Sequence, residues 1–182
     1  MRMTIQEIKK LNPRRYYIDF DSTLVNSVKA IVCLLNNQYH KYVDYKFINA
    51  WDFSDQFDVN SLDILTLFDS EEFFDIVEFY DGALEFIKEN IDKITIISKG
   101  NPTNLKLKGE FLAKHGLSEV KYIGLPLNKS KGFVDMTDCI FIDDITSNLY
   151  ETNAKYKIQF REFDEIKSWN GGWNGEILRN WK

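Results

Sequence analysis

The feature that most constrains the fold is a set of five short apolar segments that are continuous rather than alternating. They cover residues 16–20, 94–98, 120–124, 139–143 and 156–160. Continuous apolar runs of this length are typical of parallel strands with both faces covered by helices. Helical periodicity fills the gaps from residue 82 to residue 160. The alternation predicts an α/β fold built on a doubly wound parallel sheet of five strands.

One long segment, residues 26–80, interrupts this alternation, because it follows the first strand and contains no second one. Its apolar residues, such as Val28, Ile31 and Leu35, recur at helical spacing. We therefore expect a helical cap at residues 26–80, inserted into a core made of residues 1–25 and 81–182. Ligands bind at the carboxyl ends of strands in open α/β sheets, so a cap inserted there would cover the site.

Composition excludes several kinds of function. The chain has 182 residues, with 23 Lys and Arg against 28 Asp and Glu, and a net charge of −5. Without a basic run, duplex nucleic acid and anionic membrane surfaces are not expected partners. The only histidines, His40 and His115, fall at predicted helix ends. Any chemistry must therefore come from carboxylates, hydroxyls and lysines.

The sequence also predicts a cytoplasmic location. The first ten residues, MRMTIQEIKK, lack the apolar core of a secretory signal, and no apolar run is long enough to span a bilayer. Cys33 and Cys139 lie far apart within apolar stretches. We expect two buried thiols in a reducing compartment rather than a disulfide.

The first predicted strand ends in an aspartate pair, Asp19-Phe20-Asp21, followed by Ser22 and Thr23. Aspartates at positions i and i+2 of an extended chain point to the same side. Such a pair can hold a divalent cation, with one carboxylate acting as nucleophile while the other transfers protons. A polar strand end with capping aspartates would give the same pattern.

Three further polar motifs lie at, or just before, the ends of predicted strands. Ser98 precedes a glycine-containing turn into a helix, which can supply donors to a phosphate. Lys129 and Lys131 lie before the fourth strand, and Asp143 and Asp144 end it. Taken singly, each motif has a plain explanation, as a helix cap or a solvated surface.

The order of these motifs resembles the haloacid dehalogenase-like phosphohydrolase superfamily over nearly the whole chain. The insertion directly after the first motif is similar to the first type of cap in that superfamily. Within it, the chain looks most like the 5'(3')-deoxyribonucleotidase branch, particularly the versions from phages and low-GC bacteria. That likeness is carried by DFDSTL, INAWDFSDQF, FFD, YDGALEFI, IFIDD and the tryptophan-rich tail.

The resemblance implies a role for each catalytic position. Asp19 would attack phosphorus and form an aspartyl phosphate, and Asp21 would act as general acid and then as general base. Ser98 would donate to a phosphoryl oxygen. Lys131 would neutralise charge, and its short spacing to the aspartate pair favours it over Lys129 within this branch.

The resemblance also implies Mg²⁺ as the cofactor. Its ligands would be the Asp19 carboxylate, the Asp21 backbone carbonyl and Asp144, with Asp143 acting at greater distance or through water. Oxygen ligands are those that Mg²⁺ prefers, and a site without His or Cys suits it.

The implied activity is that of a phosphomonoesterase acting on (deoxy)nucleoside monophosphates. Thr23, Lys99, Trp51 and Phe53 are the expected substrate-binding residues. Trp51 and Phe53 have an alternative place in the core of the cap, since aromatic side chains are usually buried for packing. The tail tryptophans (Trp169, Trp173 and Trp181) are expected to pack on the sheet edge.

Three other functions stay open at this point. The same chemistry could act on another small phosphomonoester, such as a sugar phosphate, because fold does not fix substrate. A phosphorylated signalling receiver also uses an acidic pair, a hydroxyl and a lysine, but its phosphorylated aspartate follows a later strand. A catalytically dead binding protein is disfavoured by the complete set of polar residues.

Overall fold

The computed structural model describes residues 1–182 and contains one sheet of seven strands. The strands are Arg2–Met3 (β1), Tyr16–Ile18 (β2), Ile94–Lys99 (β3), Lys121–Leu125 (β4), Ile140–Asp143 (β5), Tyr156–Phe160 (β6) and Glu176–Leu178 (β7). They lie in the order β1-β7-β6-β5-β2-β3-β4, and every pair is parallel. The α/β class and the parallel sheet are as predicted.

The prediction of five strands is wrong, because the two ends of the chain add β1 and β7 at one edge of the sheet. Arg2 is in register with Ile177, and Met3 with Leu178. These strands contain two and three residues. Segments so short show no apolar run, so their pairing comes from contacts between the two ends of the chain rather than from local sequence.

The central strands β2 and β5 are buried along their whole length. Helices Ala83–Glu89 (α5), Pro102–Lys114 (α6) and Thr146–Glu151 (α7) precede β3, β4 and β6 respectively. At the amino terminus, Ile5–Lys10 (α1) begins with a capping box between Thr4 and Glu7. The remaining α-helices belong to residues 26–80, the inserted segment.

The inserted segment contains helices and contributes no strand to the sheet. Its helices are Ser27–Tyr39 (α2), Ser61–Phe68 (α3) and Glu71–Ile76 (α4), with a short 3-10 helix at Tyr45–Phe47. Asn26, Asn60 and Ser70 cap the first turns of α2, α3 and α4 through their side-chain oxygens. Buried residues of this segment join the same hydrophobic cluster as β2 and β3. The division into cap and core stays a prediction.

The cysteines differ from expectation. Cys139 is buried, but Cys33 is exposed, because it lies on the outward face of α2; both are free thiols. None of the helices combines the length and the apolar character needed to cross a membrane.

Candidate active site

The carboxyl ends of three neighbouring strands bring the predicted motifs together. β2 lies between β5 and β3, and Ile18 is in register with both Ile142 and Ile96. Asp19 and Asp143 each follow their registered residue by one position, and Ser98 follows Ile96 by two. The motif residues therefore meet at one edge of the sheet.

Lys131 connects two of these strand ends. Its side chain is 1% exposed, and its Nζ donates to an Asp19 oxygen and, at 2.6 Å, to Oδ2 of Asp143. Burial by itself would lower the pKa of Lys131, but the charges of Asp143 and Asp19 raise it overall. The lysine therefore remains a cation in the interior of the site.

A glycine lets Lys131 come this close. Lys131 begins a 3-10 helix, Lys131–Phe133, that Ser130 caps by accepting from the backbone N–H of Gly132. A Cβ on Gly132 would stand 2.5 Å from the carbonyl oxygen of Glu151, at the end of α7. Only glycine allows the two backbones to come this close. The close packing of Gly132 on Glu151 holds the backbone of Lys131 near the carboxyl ends of the strands.

Lys129 has a different environment. Its Nζ lies 3.9 Å from the ring centroid of Phe133, a residue that is 73% exposed. The side chain forms no ion pair with an aspartate of the site. Of the two candidate lysines, the geometry brings only Lys131 to Asp19; its catalytic role stays a prediction.

Asp143 is fully buried and has its oxygens occupied. Oδ1 accepts from the backbone N–H of Ile145 at 2.8 Å, and both oxygens lie 3.1 Å from Nδ2 of Asn148. The Asp144 side chain accepts no hydrogen bond from the protein and lines the cavity described below. This arrangement suits Asp143 for orienting Lys131 and leaves Asp144 free for a ligand.

The charges of the site require compensation. Ligand oxygens of Asp19, Asp143 and Asp144 lie within 4.8 Å of one another, and all three residues are buried. Burial, opposed by Lys131 and reinforced by neighbouring carboxylates, raises the pKa of Asp19 to about 7. Burial and the charges of Asp143 and Asp19 raise the pKa of Asp144 well above its usual value. Three carboxylates beside one lysine fit a bound divalent cation with oxygen ligands.

Asp21 lies at the edge of this cluster, and its side chain is 27% exposed. It accepts from Oγ of Ser27 at 2.9 Å and from the ammonium of Lys108. Ser98 is fully buried, and its Oγ also accepts from Lys108 at 2.8 Å. Asp21 and Ser98 are thus connected through one lysine.

Lys108 is the residue that sequence reasoning missed. It is 1% exposed on the inner face of α6, beside the buried residues Phe111 and Leu112. The sequence did contain a signal for it, because Phe111 and Leu112 lie three and four residues after Lys108 and therefore on the same face of the helix. A lysine on the apolar face of a helix needs a buried partner for its charge.

A cavity of about 460 Å³ opens above these residues. Its walls include Asp19, Asp21, Ser98, Lys99, Lys131 and Asp144, together with Trp51 and Phe53 of the inserted segment. Trp51 is half exposed, and Phe53 is 2% exposed while lining the wall. Thr23 is fully buried outside the cavity wall. The geometry therefore gives Thr23 a packing position and gives no support to the prediction that it binds substrate.

The carboxyl-terminal segment completes the cavity. Trp169 lines it, which corrects the expectation that all the tail tryptophans pack on the sheet edge. The backbone N–H of Trp51 donates to Oγ of Ser168 at 3.3 Å, and that of Ser168 to the carbonyl of Asn49 at 2.8 Å. These bonds hold the loop of the inserted segment against the tail. Trp181 is buried and stacks on Phe160.

The fold is similar to that of several solved structures. CbbY from Rhodobacter sphaeroides, in complex with phosphate, aligns with a TM-score of 0.59 at 12% identity, over 93% of this chain and 95% of that chain. A haloacid dehalogenase family hydrolase from Deinococcus radiodurans, with bound phosphate and sodium, gives 0.59 at 14% identity, over 92% and 91%.

A haloacid dehalogenase-like hydrolase from Streptococcus pneumoniae aligns with a TM-score of 0.57 at 9% identity, over 92% of this chain and 94% of that chain. No protein-family model and no curated protein sequence matches the chain. At these identities the likeness concerns the fold. The chain therefore has the fold of haloacid dehalogenase-like hydrolases along nearly its entire length.

Proposed function

We propose that the protein is a Mg²⁺-dependent phosphomonoesterase that acts through an aspartyl phosphate on Asp19, with (deoxy)nucleoside monophosphates as substrates. The observation that carries this proposal is the buried contact of Lys131 with Asp19 and Asp143, beside Asp144, at one wall of the cavity. Phosphate bound in two of the structural relatives supports it. So does the resemblance of the motifs to the deoxyribonucleotidase branch.

In the first step, an oxygen of Asp19 attacks the phosphorus of the substrate and forms the bond of the aspartyl phosphate. The bond between phosphorus and the ester oxygen breaks, and the protonated carboxyl of Asp21 gives its proton to the leaving alkoxide. Lys131 offsets the negative charge that would otherwise oppose the approach of two anions. Ser98 donates to a phosphoryl oxygen.

In the second step, Asp21 is a carboxylate and takes a proton from water. The water oxygen attacks phosphorus, the bond to Asp19 breaks, and inorganic phosphate leaves. Trp51, Phe53 and Trp169 line the cavity in which the intermediate would form, and we expect them to limit the access of bulk water to it.

A Mg²⁺ ion would be held by the carboxylates of Asp19 and Asp144 and by the backbone carbonyl of Asp21, with Asp143 behind them. When bound, it would supply positive charge to the phosphoryl oxygens. Asp144 suits this role because its side chain faces the cavity without a protein partner.

The aromatic walls favour a substrate with a flat ring. Trp51, Phe53 and Trp169 line the same cavity as the aspartates, and aromatic side chains stack on nucleobases at about 1–3 kcal/mol per base in single-strand binders. The volume lies within the range of small-molecule sites. The alternative substrate is another small phosphomonoester, such as a sugar phosphate.

The test is hydrolysis of p-nitrophenyl phosphate with Mg²⁺ and after chelation, followed by a panel of nucleotides and hexose phosphates. We expect Mg²⁺-dependent turnover, with a higher kcat/KM for deoxyribonucleoside monophosphates than for sugar phosphates. Absence of turnover would favour a receiver or a binding protein. Hexose phosphates that surpass every nucleotide would contradict the substrate class. A cytoplasmic location, and no binding of duplex nucleic acid or membrane, remain predictions.

A further inference from the structure

Lys108 is a buried cation that the proposed mechanism does not use. Its side chain is 1% exposed, and its Nζ contacts Asp21, Oγ of Ser98 at 2.8 Å and the backbone carbonyl of Lys99 at 3.2 Å. An ammonium has three N–H donors. All three therefore have an acceptor, and all three acceptors lie at the ends of β2 and β3.

This hydrogen bonding fixes the orientation of Ser98. A serine hydroxyl can donate one hydrogen bond and accept others. Oγ of Ser98 accepts a hydrogen bond from Lys108, so the hydroxyl hydrogen of Ser98 points elsewhere and can donate. The one other hydrogen-bond partner of this Oγ in the protein is the backbone carbonyl of Lys99, at 3.5 Å. Lys108 thus sets Ser98 as a donor, which is the role that an anionic phosphoryl group requires.

The same lysine fixes Asp21. That carboxylate accepts from Oγ of Ser27 on one oxygen and from Lys108 on the other. Ser27 is the first residue of α2, in the inserted segment, and Lys108 is on α6. Asp21 is therefore held from two elements, although it is partly exposed on the cavity side.

We infer that Lys108 is a positioning residue that holds Asp21 in place for proton transfer and holds Ser98 as a phosphoryl donor. The inference rests on the proposed function, because it assigns Lys108 to the acid–base part of that reaction. Lys131 then acts on the nucleophile Asp19, and Lys108 acts on the proton-transfer residue Asp21. The two buried lysines have separate tasks.

The dependence of kcat/KM on the leaving group distinguishes a positioning role of Lys108 from a general structural role. An alkyl phosphate needs its leaving oxygen protonated, whereas p-nitrophenolate leaves without help. The quantity to compare is kcat/KM, since it reports the steps up to the first irreversible one, including departure of the leaving group. We expect Lys108→Met to lower kcat/KM for an alkyl phosphate that the wild type hydrolyses by about 10²-fold or more. The loss with p-nitrophenyl phosphate should be several times smaller.

The control is Lys106→Met, because Lys106 is on the same helix, 75% exposed and paired only with Glu110. It should leave both kcat/KM values unchanged. Asp21→Asn supplies a double-mutant cycle: if Lys108 acts on leaving-group departure through Asp21, Lys108→Met should change the ratio between the two substrates little in that background. Thermal unfolding and beryllofluoride binding establish that each variant is folded with an intact Asp19.

Equal losses of kcat/KM with both substrates in folded Lys108→Met would show that Lys108 does not act on proton transfer through Asp21. That result would overturn the inference and leave the proposed function standing. The inference would also be overturned if Lys108→Met changed the ratio of the two kcat/KM values as much in the Asp21→Asn background as in the wild type. A wild-type protein that hydrolyses neither substrate would overturn the proposed function and this inference together.

Discussion

The Nζ of Lys131 lies 2.6 Å from Oδ2 of Asp143, and both side chains are removed from solvent. The same ammonium also donates to Asp19, so one cation joins the ends of β2 and β5. Removing one partner of a buried ion pair leaves the other charge uncompensated. Asp143 therefore compensates the buried charge of Lys131 and holds its ammonium beside Asp19.

Replacing Lys131 tests that role. Lys131→Ala should lower kcat by about 10²–10³-fold, the range seen when one donor to a developing charge is removed. Lys129→Ala is the matched control, since Lys129 contacts Phe133 rather than an aspartate. Steady-state kinetics on p-nitrophenyl phosphate measures both. The reverse ranking would transfer the role to Lys129.

The metal site is tested by thermal unfolding, independently of activity. Mg²⁺ at 100 times its Kd should stabilise the protein by about 2.7 kcal/mol. Asp144→Asn should abolish most of the rise in Tm on adding Mg²⁺, because Asp144 is the free carboxylate in the cluster. Asp63→Asn, an exposed change on α3, should retain the full rise. A full rise in Asp144→Asn would exclude Asp144 as a ligand.

Much of this site was visible in the sequence because its residues follow directly after buried strands. The meeting of Asp19, Ser98 and Asp143 could be predicted because the carboxyl ends of neighbouring parallel strands lie at the same edge of the sheet. The helical spacing of Lys108 indicated a buried lysine, but its partners could not be predicted, because they lie 10 and 87 residues away and only packing brings them together. The short strands β1 and β7 escaped prediction for the same reason.

The aromatic wall gives a prediction about substrate binding. Trp51→Ala should raise KM for a deoxyribonucleoside monophosphate by about tenfold, since 1.4 kcal/mol of lost stacking corresponds to that factor. It should change kcat/KM for a hexose phosphate, which has no flat ring to stack, much less. Tyr42→Ala is the control, because Tyr42 is fully exposed on the inserted segment and lies outside the cavity lining. Equal effects of the two variants would argue against stacking at Trp51.

Asp135 gives a prediction about stability and pH. Its side chain accepts from Oγ1 and N–H of Thr137 and from Nδ2 of Asn153. Hydrogen bonds from Thr137 and Asn153 lower the pKa of Asp135 from 3.8 to about 2. With the pKa lowered in the folded state, the ionised form is favoured there. Its contribution is therefore complete above about pH 5 and is lost as the pH falls through about 2.

The measurement is the urea midpoint of wild type and Asp135→Asn across this range. The gap between the two proteins should be constant above pH 5 and should shrink as the pH approaches 2. A gap that does not change with pH would show that the ionised carboxylate adds no stability.

The most direct test of the account is to identify the covalent intermediate. Asp21→Asn should slow hydrolysis of the aspartyl phosphate more than its formation from p-nitrophenyl phosphate, whose leaving group needs no acid. Acid quenching of this variant with radiolabelled substrate should trap phosphate on the protein, in a hydroxylamine-sensitive bond within the peptide that contains Asp19. Adding Asp19→Asn should remove the label. A label on another residue, or turnover that persists in Asp19→Asn, would contradict nucleophilic catalysis by Asp19.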